Sequence, residues 1–122
     1  MTIDDKKIAD ITEKIVQEYR PEKIILFGSH VWGEPNESSD VDLLVIKADE
    51  RSRLERQRSV RRLLSGFDVP IDVLVYTKAE IEEKVNRSRN LFLEDILRNG
   101  RVLYNRDGEH IRLLHAPAEL VV

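Results

Sequence analysis

No cysteine occurs in the chain, which excludes disulfides and thiolate metal sites and fits a reducing compartment. No apolar run approaches the roughly 20 residues that a membrane-spanning helix needs. Residues 1–7 lack the apolar centre of a signal peptide, so the expectation is a cytoplasmic protein without membrane contact. An excess of one charge is missing as well: a net charge of -3 is too small to announce nucleic acid or a membrane surface as partner. Internal repeats and low-complexity segments are also absent. What remains is an ordinary hydrophobic content of 41% beneath a surface dense in charge, with 35% charged residues. The 122 residues suffice for one domain and leave no room for a second catalytic unit.

Periodicity gives the order of elements. Ile8, Ile11, Ile15 and Tyr19 recur at helical spacing, which predicts an amphipathic helix over residues 4–19 that ends at Pro21. Residues 23–27 (KIILF) and 41–46 (VDLLVI) read as buried strands, and residues 33–39 between them as a loop. Residues 50–65 turn helical and basic, with Leu54, Val60, Leu63 and Leu64 as a modest apolar face and Gly66 as a stop. Residues 69–76 form a third strand, with Pro70 near its start or on an edge. Thr77 and Glu80 make a capping box for a helix over 78–86. A further helix over 90–99 turns Leu93, Ile96 and Leu97 inward and takes Gly100 as its C-cap, and residues 101–104 read as a last short strand. Asp107 and Gly108 signal a turn, and the tail beyond them receives no assignment. This order suggests a mixed sheet covered by helices.

The chemistry concentrates between Phe27 and Val45. Gly28 and Ser29 end one strand, and ten residues later Asp40 and Asp42 open the next. Residues two apart in a strand share a face, so the two carboxylates stand side by side. Their repulsion is relieved by a divalent cation, and Mg²⁺ takes one or two carboxylates together with substrate phosphates. Gly28 lets the backbone approach a phosphate, and Ser29 opens a short helix whose N–H groups attract one. Asp72 interrupts the apolar third strand, where a carboxylate is costly unless it is paired, metal-bound or at a rim. Three carboxylates from two strands suit a two-metal site, with Asp72 nearest the incoming nucleophile.

This constellation, Gly28-Ser29, ten residues, Asp40-Val41-Asp42, then Asp72, resembles the signature of the DNA polymerase beta-type nucleotidyltransferase superfamily. The short length resembles its minimal branch, the MNT family, over residues 3–104. The resemblance implies an α/β (α+β) nucleotidyltransferase fold, a small mixed sheet with helices mainly on one face. It makes Asp40, Asp42 and Asp72 catalytic metal ligands for Mg²⁺, two ions in number, and Gly28 and Ser29 contacts to the phosphates of ATP. His30, directly after Ser29, is a candidate nucleotide contact, although a surface or cap histidine is the commoner role. Many minimal members are antitoxins beside a HEPN-type ribonuclease toxin, and some move AMP from ATP onto a tyrosine of it.

The resemblance therefore implies a Mg-dependent adenylyltransferase acting on a hydroxyl of a partner protein. A non-catalytic antitoxin that works by association, and a small-molecule transferase of the aminoglycoside type, remain alternatives. Plainer readings stand beside the site residues: a solvated turn for Asp40 and Asp42, and an edge residue paired with an arginine for Asp72. The arginines at 51, 53, 56, 58, 61 and 62 read as a solvated helix face or a surface for a protein partner, ahead of nucleic acid. Homodimerisation suits a domain this small, but the sequence shows no seam. Residues 1–104 are expected to form the transferase domain, and residues 105–122 a tail without an assigned role.

Overall fold

The computed structural model describes residues 5–32 and 40–106. Helix α1 (Asp5–Tyr19) buries Ile8, Ile11, Ile15 and Tyr19, the four side chains that its periodicity selects. It ends at Arg20, whose φ of 54° is left-handed and whose N–H still reaches the carbonyls of Ile15 and Val16. Strand β1 (Lys23–Phe27) follows, buried along its whole length. One helical turn, α2 (Ser29–Trp32), leads away from it, and strand β2 (Val41–Ile46) returns antiparallel to it. Helix α3 (Arg53–Leu63) then carries the chain to β3 (Ile71–Tyr76), which pairs with β2 in parallel. Helices α4 (Lys78–Asn86) and α5 (Leu91–Asn99) precede β4 (Arg101–Asn105), antiparallel to β1. The sheet order is β3-β2-β1-β4, so β1 and β2 are central and β3 is an edge.

The mixed sheet is as expected, but the helices cover both of its faces, not mainly one. Ile24 and Leu26 of β1, with Leu43 and Val45 of β2, pack against α1 and α3. Ile25 and Phe27, with Leu44 and Ile46, pack against α4 and α5. Alternation along a strand sends neighbours to opposite faces, and a central strand that is apolar at every position needs a cover on each. The apolar stretches 24–27 of β1 and 43–46 of β2 already contain this requirement.

Three further differences have local causes. The basic helix is shorter than expected, because Ser52 caps it through the Glu55 N–H. Leu54, expected on its apolar face, is 54% exposed, whereas Arg56 is buried. The inward stripe runs through Arg56, Val60 and Leu64 at four-residue spacing, and Leu54 lies off it. Arg56 is tolerated there because its guanidinium donates to both carboxylate oxygens of Glu80 at 2.7 and 3.2 Å and to the Asp49 carbonyl at 2.9 Å. Gly100 does cap α5, but with φ -70°, so it is not there for a left-handed turn. Its missing side chain instead leaves room for Ile25 Cγ2 and the Ile96 carbonyl.

Pro70 stands just before the edge strand β3, and its carbonyl accepts from the Val41 N–H at 2.9 Å. The capping box of Thr77 and Glu80 forms in full. The expected loop over 33–39 and the tail beyond residue 106, with its Asp107-Gly108 turn, lie outside the described residues. Among those residues no helix is long and apolar enough to cross a membrane.

Candidate active site

Strand register assembles the carboxylates. Asp42 of β2 stands opposite Asp72 of β3 on one side and opposite Phe27 of β1 on the other. Register partners project from the same face, so the two carboxylates are neighbours across a parallel pair. Asp40 lies just outside β2, two residues before Asp42, and is exposed. Electrostatics reports the same grouping. The Asp42 carboxyl is pushed above its ordinary value, first by burial and then by the charges of Asp72 and Asp40, while His30 pulls it the other way. The four residues singled out for charge chemistry therefore share one end of the sheet.

Gly28 is required here for two separate reasons. Its φ is +81°, a left-handed conformation that side chains rarely adopt. A methyl group on it would also strike the carboxylate of Asp42. The glycine thus makes room for Asp42, a role that the sequence pattern did not reveal, and backs the carboxylate from behind. The chain then turns at once into α2, with the Val31 N–H donating to the Gly28 carbonyl at 3.0 Å. Ser29 opens that turn beside the carboxylates.

Asp72 has a second neighbour. Nη2 of Arg61 on α3 lies 3.6 Å from its Oδ1, with both side chains about half exposed. The edge-strand pairing with an arginine and the register pairing with Asp42 are both present. An exposed ion pair of this length contributes at most about 1 kcal/mol, so it leaves Asp72 able to exchange partners.

Other arginines of the basic segment also have intramolecular partners. Arg51 is held on Asp49 at 2.7 Å, and Arg53 donates to the Tyr76 hydroxyl at 2.6 Å with its charge over that ring. With Arg56 on Glu80, most of the basic run ties α3 to its surroundings, and Arg58 and Arg62 remain as exposed charges.

The donor set suits a hard cation in part. Two adjacent carboxylates, one raised by burial and then by its neighbours, are relieved by a divalent ion, and oxygen donors fit Mg²⁺. Among the described residues, however, no three His, Cys, Asp or Glu side chains are gathered tightly enough to hold a metal unaided. That matches an ion which shares its shell between one or two carboxylates, water and substrate phosphates.

Comparison with known proteins extends this picture. The model of the family described as "Polymerase beta, Nucleotidyltransferase" matches residues 9–109. A Methanocaldococcus jannaschii protein provisionally named a protein adenylyltransferase is 31% identical over 103 residues, spanning 83% of this chain and 98% of the relative. A second of that name from the same organism is 28% identical over 116 residues, covering 86% of this chain and 77% of the relative. Among solved structures, a provisional nucleotidyltransferase from Sulfolobus solfataricus is similar with a TM-score of 0.58 at 20% identity, covering 84% of this chain and 81% of that one. A toxin–antitoxin structure with AMP-PNP has a TM-score of 0.52 at 20% identity, covering 81% and 74%. These two share the fold. The family match over most of the chain places the protein in the polymerase beta nucleotidyltransferase family.

Proposed function

We propose that this chain is a Mg²⁺-dependent adenylyltransferase that moves AMP from ATP to a hydroxyl of a partner protein, as the antitoxin of a HEPN-type toxin. The observation that carries the reading is Asp42, seated on Gly28 from one side and paired in register with Asp72 on the other. Protein adenylyl transfer is the activity in the names of the two relatives, and a toxin–antitoxin complex with an ATP analogue shares the fold.

In this reading Asp40, Asp42 and Asp72 would hold the metal together with water and the substrate phosphates, and the ion would supply neutralisation of their charge and that of the phosphates. The Gly28 end of β1 and the Ser29 hydroxyl face the triphosphate, with His30 alongside as a further contact. The acceptor oxygen attacks the α-phosphorus, the bond to the bridging oxygen breaks, and pyrophosphate leaves. The acceptor's proton passes to the carboxylate of Asp72. Asp72 suits that role because it is 57% exposed on an edge strand, open to an incoming molecule, while Asp42 is half-buried. The rate enhancement comes from positioning and charge neutralisation.

The pairing of Asp72 with Arg61 favours a second reading, in which the protein neutralises its partner by association alone. One experiment separates the two. ATP labelled at the α-phosphate is incubated with the protein, Mg²⁺ and the co-purified or genetically adjacent partner, with and without chelator. Label on the partner that is lost with chelator and in Asp42→Ala supports transfer. An unlabelled partner that Asp42→Ala still neutralises supports association.

A further inference from the structure

We propose that Phe92, with Leu91 beside it, is the platform on which the nucleobase of the donor nucleotide stacks, an inference that rests on the adenylyltransferase reading above. Helix α5 buries Leu93, Ile96 and Leu97, and this stripe accounts for its packing. Leu91 and Phe92 lie outside it and are 66% and 55% exposed. Only two other large apolar side chains among the described residues, Leu54 and Val102, are comparably exposed, and neither adjoins the other.

The local backbone explains why the pair faces outward. Arg89 adopts a left-handed φ of 53° between α4 and α5, and the Asn90 N–H closes on the Lys84 carbonyl at 2.8 Å. Asn90 then caps α5 by accepting from the Leu93 N–H at 3.0 Å. Helical geometry starts at Leu91, and the buried stripe starts only at Leu93. Leu91 and Phe92 are thereby fixed in the first turn, off the core face.

The ring of Phe92 is held in place. It stands edge-to-face against Phe27, with centroids 5.8 Å apart and planes at 84°. Phe27 is buried, is the register partner of Asp42 and directly precedes Gly28. Cα atoms opposite each other in an antiparallel pair are about 5 Å apart. Phe92 is therefore one aromatic ring beyond the residue facing the carboxylate, on the same side of the sheet.

A nucleotide whose α-phosphate lies at Gly28 and Asp42 must project its base away by the length of a ribose. A half-exposed ring, fixed by a second ring at that end of the site, offers a π-face to it. Stacking needs no hydrogen-bonding partner and grows with the ring area that overlaps, so a purine is favoured over a pyrimidine. The other candidate occupant is an apolar side chain of the acceptor protein, and the test distinguishes the two.

Calorimetric binding of Mg-ATP, Mg-CTP and inorganic Mg-tripolyphosphate is compared in the wild type, Phe92→Ala and Phe92→Trp, with a thermal midpoint for each to show that the fold is kept. The expected result is an ATP affinity about ten-fold weaker in Phe92→Ala, from the loss of one stacked base. Phe92→Trp restores it, tripolyphosphate affinity is the same in all three, and the wild type prefers ATP to CTP. Unchanged ATP affinity, or equal weakening for ATP and tripolyphosphate, overturns the platform. A rise confined to the acceptor KM in Phe92→Ala also overturns it and assigns the pair to acceptor docking. A wild type that binds neither ATP nor tripolyphosphate refutes the adenylyltransferase reading itself, and the platform with it.

Discussion

Substituting Gly28 by alanine tests the construction of the site more sharply than removing any carboxylate. The residue has a φ of +81°, and a left-handed alanine costs about 1–2 kcal/mol. The new methyl would meet the Asp42 carboxylate, whose flexible end must rotate away, adding roughly 1 kcal/mol of off-rotamer strain. The sum is about 2–3 kcal/mol, or on the order of 10 °C in thermal midpoint for a domain of this size. Activity is expected to fall further than stability does, by about 100-fold, because a displacement near 1 Å at a positioning group has that effect. The assay is a double-mutant cycle with Asp42→Ala, read by urea unfolding. The Asp42 Cβ lies at an ordinary 3.4 Å from the added methyl, so in that background only the backbone strain remains. Coupling of about 1 kcal/mol is the expected outcome. Strict additivity, or a fully active Gly28→Ala protein, would refute the claim that this glycine exists to seat Asp42.

Other consequences concern the fold and its pH dependence. Glu80→Ala removes the acceptor for buried Arg56 and half of the α4 capping box, and is expected to cost about 2–3 kcal/mol in urea unfolding. Arg56→Met, which leaves no buried charge behind, should cost less, and the reverse order would contradict the burial argument. Glu80 is held below its ordinary value chiefly by its hydrogen bond from Arg56, and Asp49 chiefly by that from Arg51. Depressed folded values mean that their stabilisation is complete above the ordinary carboxylate range and is lost as pH falls through the folded values. Acid unfolding followed by circular dichroism should be shallower in Asp49→Asn with Glu80→Gln, and an unchanged slope would count against both pairs. Asp42 has the opposite sign: its value is raised, so ionisation at neutral pH costs stability. Asp42→Asn should unfold at a higher midpoint than the wild type at neutral pH, with the gain fading as pH drops through the raised value. A lower midpoint throughout would contradict the crowding of charge at that end of the sheet.

Much of this architecture is legible in the sequence because local signals and tertiary demands agree. The boundaries of β1, β2 and α4 follow from apolar runs and from the Thr77–Glu80 box. The Asp40 and Asp42 pair is visible because the two residues stand two apart where β2 begins. The partnership of Asp42 with Asp72 is not, since register between distant strands is settled by packing over the whole sheet. Burial of Arg56 escapes a reading based on hydropathy, because its partner Glu80 lies on another helix, 24 residues away. An arginine partner for Asp72 is foreseen from its place in an apolar strand, but that it is Arg61 of α3 is not. Gly28 reads as a turn residue in one dimension, and its second role appears only when β2 folds back against it. The inward stripe of α5, Leu93, Ile96 and Leu97, is legible from helical spacing, and the cap at Asn90 leaves Leu91 and Phe92 off it.

The central claim is that the three carboxylates support adenylyl transfer to a partner protein. Intact-mass spectrometry of the partner, isolated after co-expression with the wild type or with Asp42→Ala, tests it most directly. The expected result is the mass of one or more AMP groups on the partner with the wild type, localised to a hydroxyl side chain, and the unmodified mass with the variant. An unmodified partner in a wild-type complex, or an adenylylated one with Asp42→Ala, would contradict it.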